Sequence, residues 1–560
     1  MYKGSLRGLN YIRGSKRLFT TNSVPPPPKR DFSTLIYGLT AITLASYGAY
    51  KFGQYQIINS PPSNLFPLNS VTKLSDLESP KYGTTEEMLQ AIEEIRQKVP
   101  NAEVTNKEVD LDHHTKNDFT PHLPLDHEKP QFIIYPYTTE QVSEILKILN
   151  KYNIPIVPFS GGTSLEGHFF STRQGVILDT SRMKQILEVH EDDLDCVVQA
   201  GVNWQELNKH LESRGLMFGA DCGHGGLISG MINTNASGIN ASRYGAMNTN
   251  VISITVVLSD GTIVKTKQRP RKSSAGYNLT QLFIGSEGTL GIVTEATVKL
   301  HVIPKYETVV ICQFPTILDS TNTVAQIFKS GIQPNAIEFL DADMMRCLKY
   351  SGYCDNSWQE KPTIFFKIGG LNKVVVDEYI KQLKSIAKVN KVELFKFAKN
   401  KQEGEELFSA RKNAFYAMID YGRNEIDEDM RIWVTDIAVP LSRLSPVLTE
   451  INQLIKSSGF ESIILAHAGD GNFHADLYYK PEDKAKCEAV IKQMIKIGLD
   501  NEGTCTGEHG VGNAKRNYLA IELGDDAISL MRKLKMALDP KRILNPDKIF
   551  KIDPEDEGKY

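Results

Sequence analysis

From about Gln131 onward the chain is written in short apolar runs divided by glycine-rich turns. FIIYPYT reads as a strand, since aromatic and β-branched residues suit a pleated surface. TTEQVSEILKILNKYN places apolar residues at helical spacing, with Thr139 as the expected N-cap, and IPIVPFS reads as a second strand. Further on, ETVVICQF, TIFFKIGG and ESIILAHAG repeat the strand signature between helical stretches, up to about Val511. This arrangement predicts an α+β fold. At 560 residues the chain exceeds one ordinary core, so two folded domains are expected, over 131–303 and 304–553. Residues 52–130 read as a linker and helical lead-in.

The first fifty residues follow another pattern. Seven basic residues lie between Lys3 and Arg30, and no acid precedes Asp31. An Arg-rich, Ser/Thr-bearing, acid-free start is the composition of a mitochondrial transit peptide, here 1–30. A disordered basic tail shares that composition, and Pro25–Pro28 breaks any helix there. Phe32–Tyr50 then carries no charge over 19 residues, long enough to cross a bilayer, so 31–51 is expected to be a transmembrane anchor. Gly38, Thr40, Thr43, Ser46 and Gly48 dilute it, and a buried helix or removable sorting signal fits the same stretch. Basic residues are denser before the span than after it. That bias orients the large domain toward the intermembrane space of the mitochondrial inner membrane.

Charge and cysteine content narrow the chemistry. A formal net charge of −3 argues against a nucleic-acid partner. The seven cysteines include no C-x-x-C pair and no C-x-x-C-H, which excludes a thiolate zinc module and a c-type haem. A metal would have to be held by histidine and carboxylate.

Three stretches between Ser160 and Leu300 carry the glycine. SGGTSLEGH leaves the second strand directly, and its two adjacent glycines with Thr163 and Ser164 offer N–H groups and hydroxyls suited to a pyrophosphate. Alone, the run fits a plain tight turn as well. CGHGGLISGMINTNASGINASRYG and IGSEGTLGIVTEATVKL add two more such loops. Neither G-x-G-x-x-G nor a Walker A motif occurs, so the loops are of another kind.

PFSGGTSLEGH, NTNASGINASRYG and GSEGTLGIVTEATVKL together resemble the FAD-binding domain of the vanillyl-alcohol oxidase superfamily. The resemblance implies an extended FAD between two α+β subdomains, followed by a cap domain and a C-terminal helical segment returning to the flavin. It implies Ser160, Gly161, Gly162, Thr163 and Ser164 at the pyrophosphate, joined by Gly230, Thr234, Ser237 and Gly238. Gly288 and Ile292 would approach the adenine and ribose. Some relatives tether the flavin through His or Cys; the matching loop here has Thr163 and Ser164, so a non-covalent FAD is expected.

The second half holds HAGDGNFH and TGEHGVG. His467 and His474 are seven residues apart, which puts them on opposite faces of a regular strand. Only a turn can bring them together, and Gly469-Asp470-Gly471-Asn472 is turn chemistry. Two loop histidines or a metal clamp both fit that segment. Glu508 supplies a third donor, and two His with one carboxylate suit Zn²⁺, Mn²⁺ or Fe²⁺, zinc being the first expectation. His509 remains as an imidazole titrating near working pH, suited to a general base. Arg411 lies in a helical stretch and reads from sequence as a surface arginine or a carboxylate grip, with Lys412, Arg423 and Arg431 as rivals.

HAGDGNFH, GEHGVG and LDPKRILNPDKIF resemble the C-terminal FAD-linked oxidase domain of D-lactate, D-2-hydroxyglutarate and glycolate dehydrogenases. That resemblance implies His467, His474 and Glu508 as metal ligands, His509 as catalytic base, Arg411 as the substrate-carboxylate arginine and Asn545 beside the flavin ring. It implies a small 2-hydroxy acid substrate, with D-lactate first among them because a transit peptide and anchor mark the mitochondrial members. With no NAD motif and no haem, electrons must go to an external acceptor, and cytochrome c is the one expected in the intermembrane space. Another hydroxy acid, flavin-dependent alkyl transfer, or flavin and metal binding without turnover are the remaining readings.

Overall fold

The computed structural model describes residues 32–59, 69–115, 120, 125–354 and 358–556. The expected transit peptide, 1–30, lies outside them. Phe32–Asn59 is helical over 28 residues. Its length would suffice for a bilayer, yet among the described residues no helix is long and apolar enough to cross one. The anchor expected at 31–51 is therefore corrected. Gly38, Thr40, Thr43, Ser46 and Gly48 interrupt its apolar side chains, although Thr40 and Thr43 return their hydroxyls to the carbonyls of Ile36 and Leu39.

From Asn69 the chain builds three sheets. The first has the spatial order Glu103–Thr105, Phe132–Tyr135, Val176–Asp179, Ile156–Phe159, antiparallel at the first pair and parallel after it. Its three parallel strands are buried, as strands covered by helices must be. The helix Thr139–Lys151 covers it with Val142, Ile145, Leu146 and Leu149. Thr138, one residue before the expected cap, accepts from Gln141 N and is the N-cap. The helix Thr85–Lys98 packs Met88, Ile92 and Ile95 into the same core. Residues read as a lead-in thus form part of this layer.

The second sheet is antiparallel and centred on the long strand Ile292–Val302, flanked by Asp195–Gln199 and Val251–Val257. The third has eight antiparallel strands between Tyr306 and Tyr479. Alternation along its strands feeds two cores. Val310 and Cys312 face helices that include Leu441–Ser458 and Lys484–Asp500, while Val309 and Ile311 face Ala342–Tyr350, Lys401–Lys412 and Ala414–Tyr421. Burying both faces places any polar residue on an inward strand position under strong pressure to find a partner.

The chain then returns. Leu544 bridges Ile156 in parallel at the edge of the first sheet, and Ile543 and Leu544 are fully buried in that sheet's core. Each contributes roughly 1.5–3 kcal/mol by burial. A linear division at 304 hides this exchange between the halves.

Candidate active site

The turn that sequence parity demands is present. Ser462–His467 and Asn472–Tyr479 form a hairpin in which His467 pairs with Asn472 and His474 with Leu465. Leu465 shares a face with His467 two residues on, so both imidazoles project to the side of the helix Lys401–Lys412. Glu338 stands directly across from His467 on the strand Ala336–Leu340. His467 Nδ1 lies 2.9 Å from Glu338 Oε1, and His474 Nδ1 lies 2.7 Å from the Thr435 carbonyl. With those nitrogens donating, both Nε2 atoms are left to hold a proton or, once it is given up, a metal.

Both Nε2 atoms point at Glu508 Oε1, at 3.0 Å from His467 and 3.3 Å from His474. Burial pushes the Glu508 carboxyl up, but the two histidines outweigh it and hold it well below the usual range. Burial pulls His467 down, but Glu338 and Glu508 hold it well above the ordinary histidine value. One ligand atom from each of His467, His474 and Glu508 lies within 4.8 Å of the others. Oriented imidazoles, second partners on Nδ1 and a charged carboxylate are the donor set a divalent metal needs, so the residues fit one.

Asp436, His474 and His509 converge within the same limit. The Asp436 carboxylate is already engaged by the N–H groups of Glu508 and His509, the Asn472 amide and the Thr506 hydroxyl. Those bonds fold the GEHG run into place and make Asp436 its organiser rather than a free donor. His509 lies with Nδ1 3.4 Å from Glu166 Oε1 and 3.9 Å from Asp436 Oδ2. Burial lowers the His509 pKa, but Asp436 and Glu166 outweigh it, so the imidazole sits above the ordinary value rather than near it as its sequence suggests. Lys515 backs both carboxylates, 2.9 Å from Glu166 and 3.5 Å from Asp436.

Arg411 is 7 % exposed, so the surface reading is corrected. Its Nη2 lies 2.8 Å from Glu338 Oε2, and its buried Nε has no hydrogen-bond partner among the described residues. Arg423 and Arg431 are exposed and do not line the cavity; Lys412 lines it but is exposed.

The glycine loops meet this cluster in one cavity. Ser160, Gly161, Gly162, Thr163 and Ser164 line it, as do Gly230, Thr234, Ser237, Gly238, Gly288, Ile292 and Asn545. Arg411, His467, His474, Glu508 and His509 line it as well. A Cβ on Gly161 would stand 2.6 Å from the Gly225 carbonyl, and Gly162 adopts φ +64°, so this cradle admits no side chain at either position. Asn545 donates to the carbonyls of His168 and Glu287, leaving its buried Oδ1 without a partner among the described residues. A bare glycine cradle and an orphaned amide oxygen fit a dinucleotide with a hydrogen-bonding ring.

Glu338, Asp436, Glu166 and Glu287 were missed from sequence. Glu338 and Asp436 are lone acids in apolar runs (AIEFL, TDIAV), a faint mark of a buried charge needing partners. Glu287 lies inside a noted motif, and its two oxygens accept from Val511 N at 2.6 Å and Gly512 N at 2.9 Å. That joins the GSEG loop to GEHGVG across the two halves.

Comparison with known proteins agrees with this architecture. Residues 303–549 match the family described as FAD linked oxidases, C-terminal domain, and 130–267 match FAD binding domain. The chain is 49% identical to the mitochondrial D-lactate dehydrogenase (cytochrome) of Kluyveromyces lactis over 493 residues, covering 87% of this chain and 85% of that one. It is 48% identical to the mitochondrial D-lactate dehydrogenase (cytochrome) 1 of Saccharomyces cerevisiae, covering 88% and 85%. Among solved structures, the 4-ethylphenol oxidase of Gulosibacter chungangensis superposes with a TM-score of 0.68 at 18% identity, over 85% of this chain and 99% of that chain. At that identity the likeness speaks to the fold, which is of the vanillyl-alcohol oxidase type.

Proposed function

Because the chain belongs to the family of FAD-linked oxidases, we propose that it oxidises D-lactate to pyruvate and passes the electrons to cytochrome c. The observation that carries this is the convergence of the glycine loops, Arg411, the His467–His474–Glu508 trio and His509 on one cavity. When bound, FAD accepts hydride and a divalent metal polarises the substrate hydroxyl. Ser160 to Ser164, with Gly230, Thr234, Ser237, Gly238, Gly288 and Ile292, would hold the non-covalent FAD, with Asn545 on the side of its ring. His467, His474 and Glu508 would hold the metal, with zinc the first candidate.

Arg411 grips the substrate carboxylate with the N–H groups that Glu338 leaves free. His509 takes the hydroxyl proton, and the carboxylates behind it make it a stronger base than a solvated histidine. Phe415, Met418, Val434 and Leu465 line the same cavity, and Arg411 is its one buried arginine or lysine among the described residues. An apolar wall with one buried arginine and no buried lysine favours a small monocarboxylate over a diacid such as 2-hydroxyglutarate.

The mitochondrial names of the relatives and the basic segment 1–30 support import into mitochondria, with the catalytic body in the intermembrane space where cytochrome c is found. The direct test mixes the FAD-loaded protein with D-lactate, L-lactate, glycolate and D-2-hydroxyglutarate in a stopped-flow spectrometer. D-lactate is expected to bleach the flavin fastest, and ferricytochrome c to restore its colour. A flavin left oxidised by D-lactate would sink the assignment.

A further inference from the structure

The mechanism needs two groups at a fixed separation, a guanidinium for the carboxylate and a polarising centre for the hydroxyl on the next carbon. One buried side chain touches the first and a proposed ligand of the second. Glu338 is fully buried, on a strand whose register sets it directly opposite His467. Its Oε1 accepts from His467 Nδ1 at 2.9 Å and its Oε2 meets Arg411 Nη2 at 2.8 Å.

We propose that Glu338 is a positioning residue that locks the substrate-gripping arginine and a metal-ligating histidine into one register. This rests on the reading of Arg411 and His467 given above. On the histidine side, accepting the Nδ1 proton fixes the tautomer and turns Nε2 toward Glu508. On the arginine side, one carboxylate oxygen holds the guanidinium by a single edge, leaving Nε for the substrate. A carboxylate is needed because one oxygen accepts from His467 while the other sets a negative charge against the guanidinium. An amide presents only one acceptor and would set its own N–H against the other donor.

Glu338 does not line the cavity, so its loss acts through its two neighbours. Glu338→Gln keeps volume and burial but can serve only one partner. It is expected to weaken Mn²⁺ or Zn²⁺ binding about tenfold or more in chelator competition, as loss of an outer partner of a ligating histidine does. It is also expected to raise KM for D-lactate about tenfold or more, with FAD content and melting temperature near those of the parent. Glu338→Asp, which keeps the charge but withdraws it by one methylene, is expected to show both losses and guards against a Gln variant that fails to fold. In an Arg411→Met background, Glu338→Gln should still weaken metal binding yet add nothing further to KM. A folded, flavin-loaded Glu338→Gln protein with parental metal affinity and KM overturns the proposal. A change confined to one of the two overturns the shared register. The metal measurement needs no turnover, so a parent that binds no metal and leaves D-lactate untouched points instead to failure of the functional reading itself.

Discussion

The imidazole of His509 lies flat against that of His474, with ring centroids 5.1 Å apart and 13° between the planes. The proposed base is therefore packed on a proposed metal ligand and cannot swing away without opening that stack. Proton acceptor and hydroxyl-binding centre share one wall. His509→Ala is expected to leave yellow, FAD-loaded protein whose flavin reduction by D-lactate slows by a factor on the order of 10²–10⁴. Stopped-flow absorbance measures it, and parental rates would remove His509 from the chemistry.

Arg411 offers its buried Nε beside a paired Nη2. A charge-assisted hydrogen bond contributes roughly 1.5–3 kcal/mol. Arg411→Met should therefore raise KM for D-lactate by a factor of about 10–100, and leave the visible spectrum of the flavin intact. Steady-state kinetics checks it; an unchanged KM means that another group holds the carboxylate.

The pH profile has a sign that the geometry fixes. His509 must be neutral to accept a proton, and its pKa is raised by Asp436 and Glu166 against the opposing effect of burial. Flavin reduction should thus fall as pH drops, and do so at a higher pH than for a solvated histidine. Glu166→Gln removes one of the two raising charges, so the fall should move to lower pH. A profile of kcat/KM against pH for parent and variant decides the matter, and an unmoved acidic limb would count against His509 as the titrating base.

Glu287 bears on stability as well as on the site. Glu287→Ala strips the partners from two buried backbone N–H groups, on Val511 and Gly512. Each costs roughly 1–3 kcal/mol when left unpaired. Thermal unfolding should shift down by several degrees, and FAD retention should weaken because the GSEG and GEHGVG loops lose their tie. Differential scanning fluorimetry with and without added FAD measures both. A parental melting temperature would show that the loops are held by other means.

The parts of this molecule that chain pattern reveals are those written in local chemistry. The parity of His467 and His474 demanded a turn, and Gly469 to Asn472 supplies it. The glycine loops announced a close ligand because few other reasons place so many bare positions together. Glu338 and Asp436 were invisible for the opposite reason: each acts across strands or loops distant in sequence, and nothing beside it in the chain names its partners. The apolar stretch at 32–50 showed length without enough hydrophobicity, so counting uncharged residues overstated it. Ile543 and Leu544 read as an ordinary apolar pair, and only the folded chain shows that they complete the first sheet rather than extend the second domain.

That return of the chain has a consequence for the order of events in synthesis. Asn545 donates to the carbonyl of His168 across 377 positions, and Leu544 closes on Ile156 beside it. A nascent polypeptide that has left the ribosome as far as Val511 already owns every glycine loop, both site histidines of the hairpin and Glu508. It has no Asn545, and the pocket wall it has built stands open on that side. Contacts spanning so much chain form late, after local structure has set. Flavin capture is therefore expected to follow the docking of Leu544 and Asn545 against the first sheet, not the folding of the glycine loops alone.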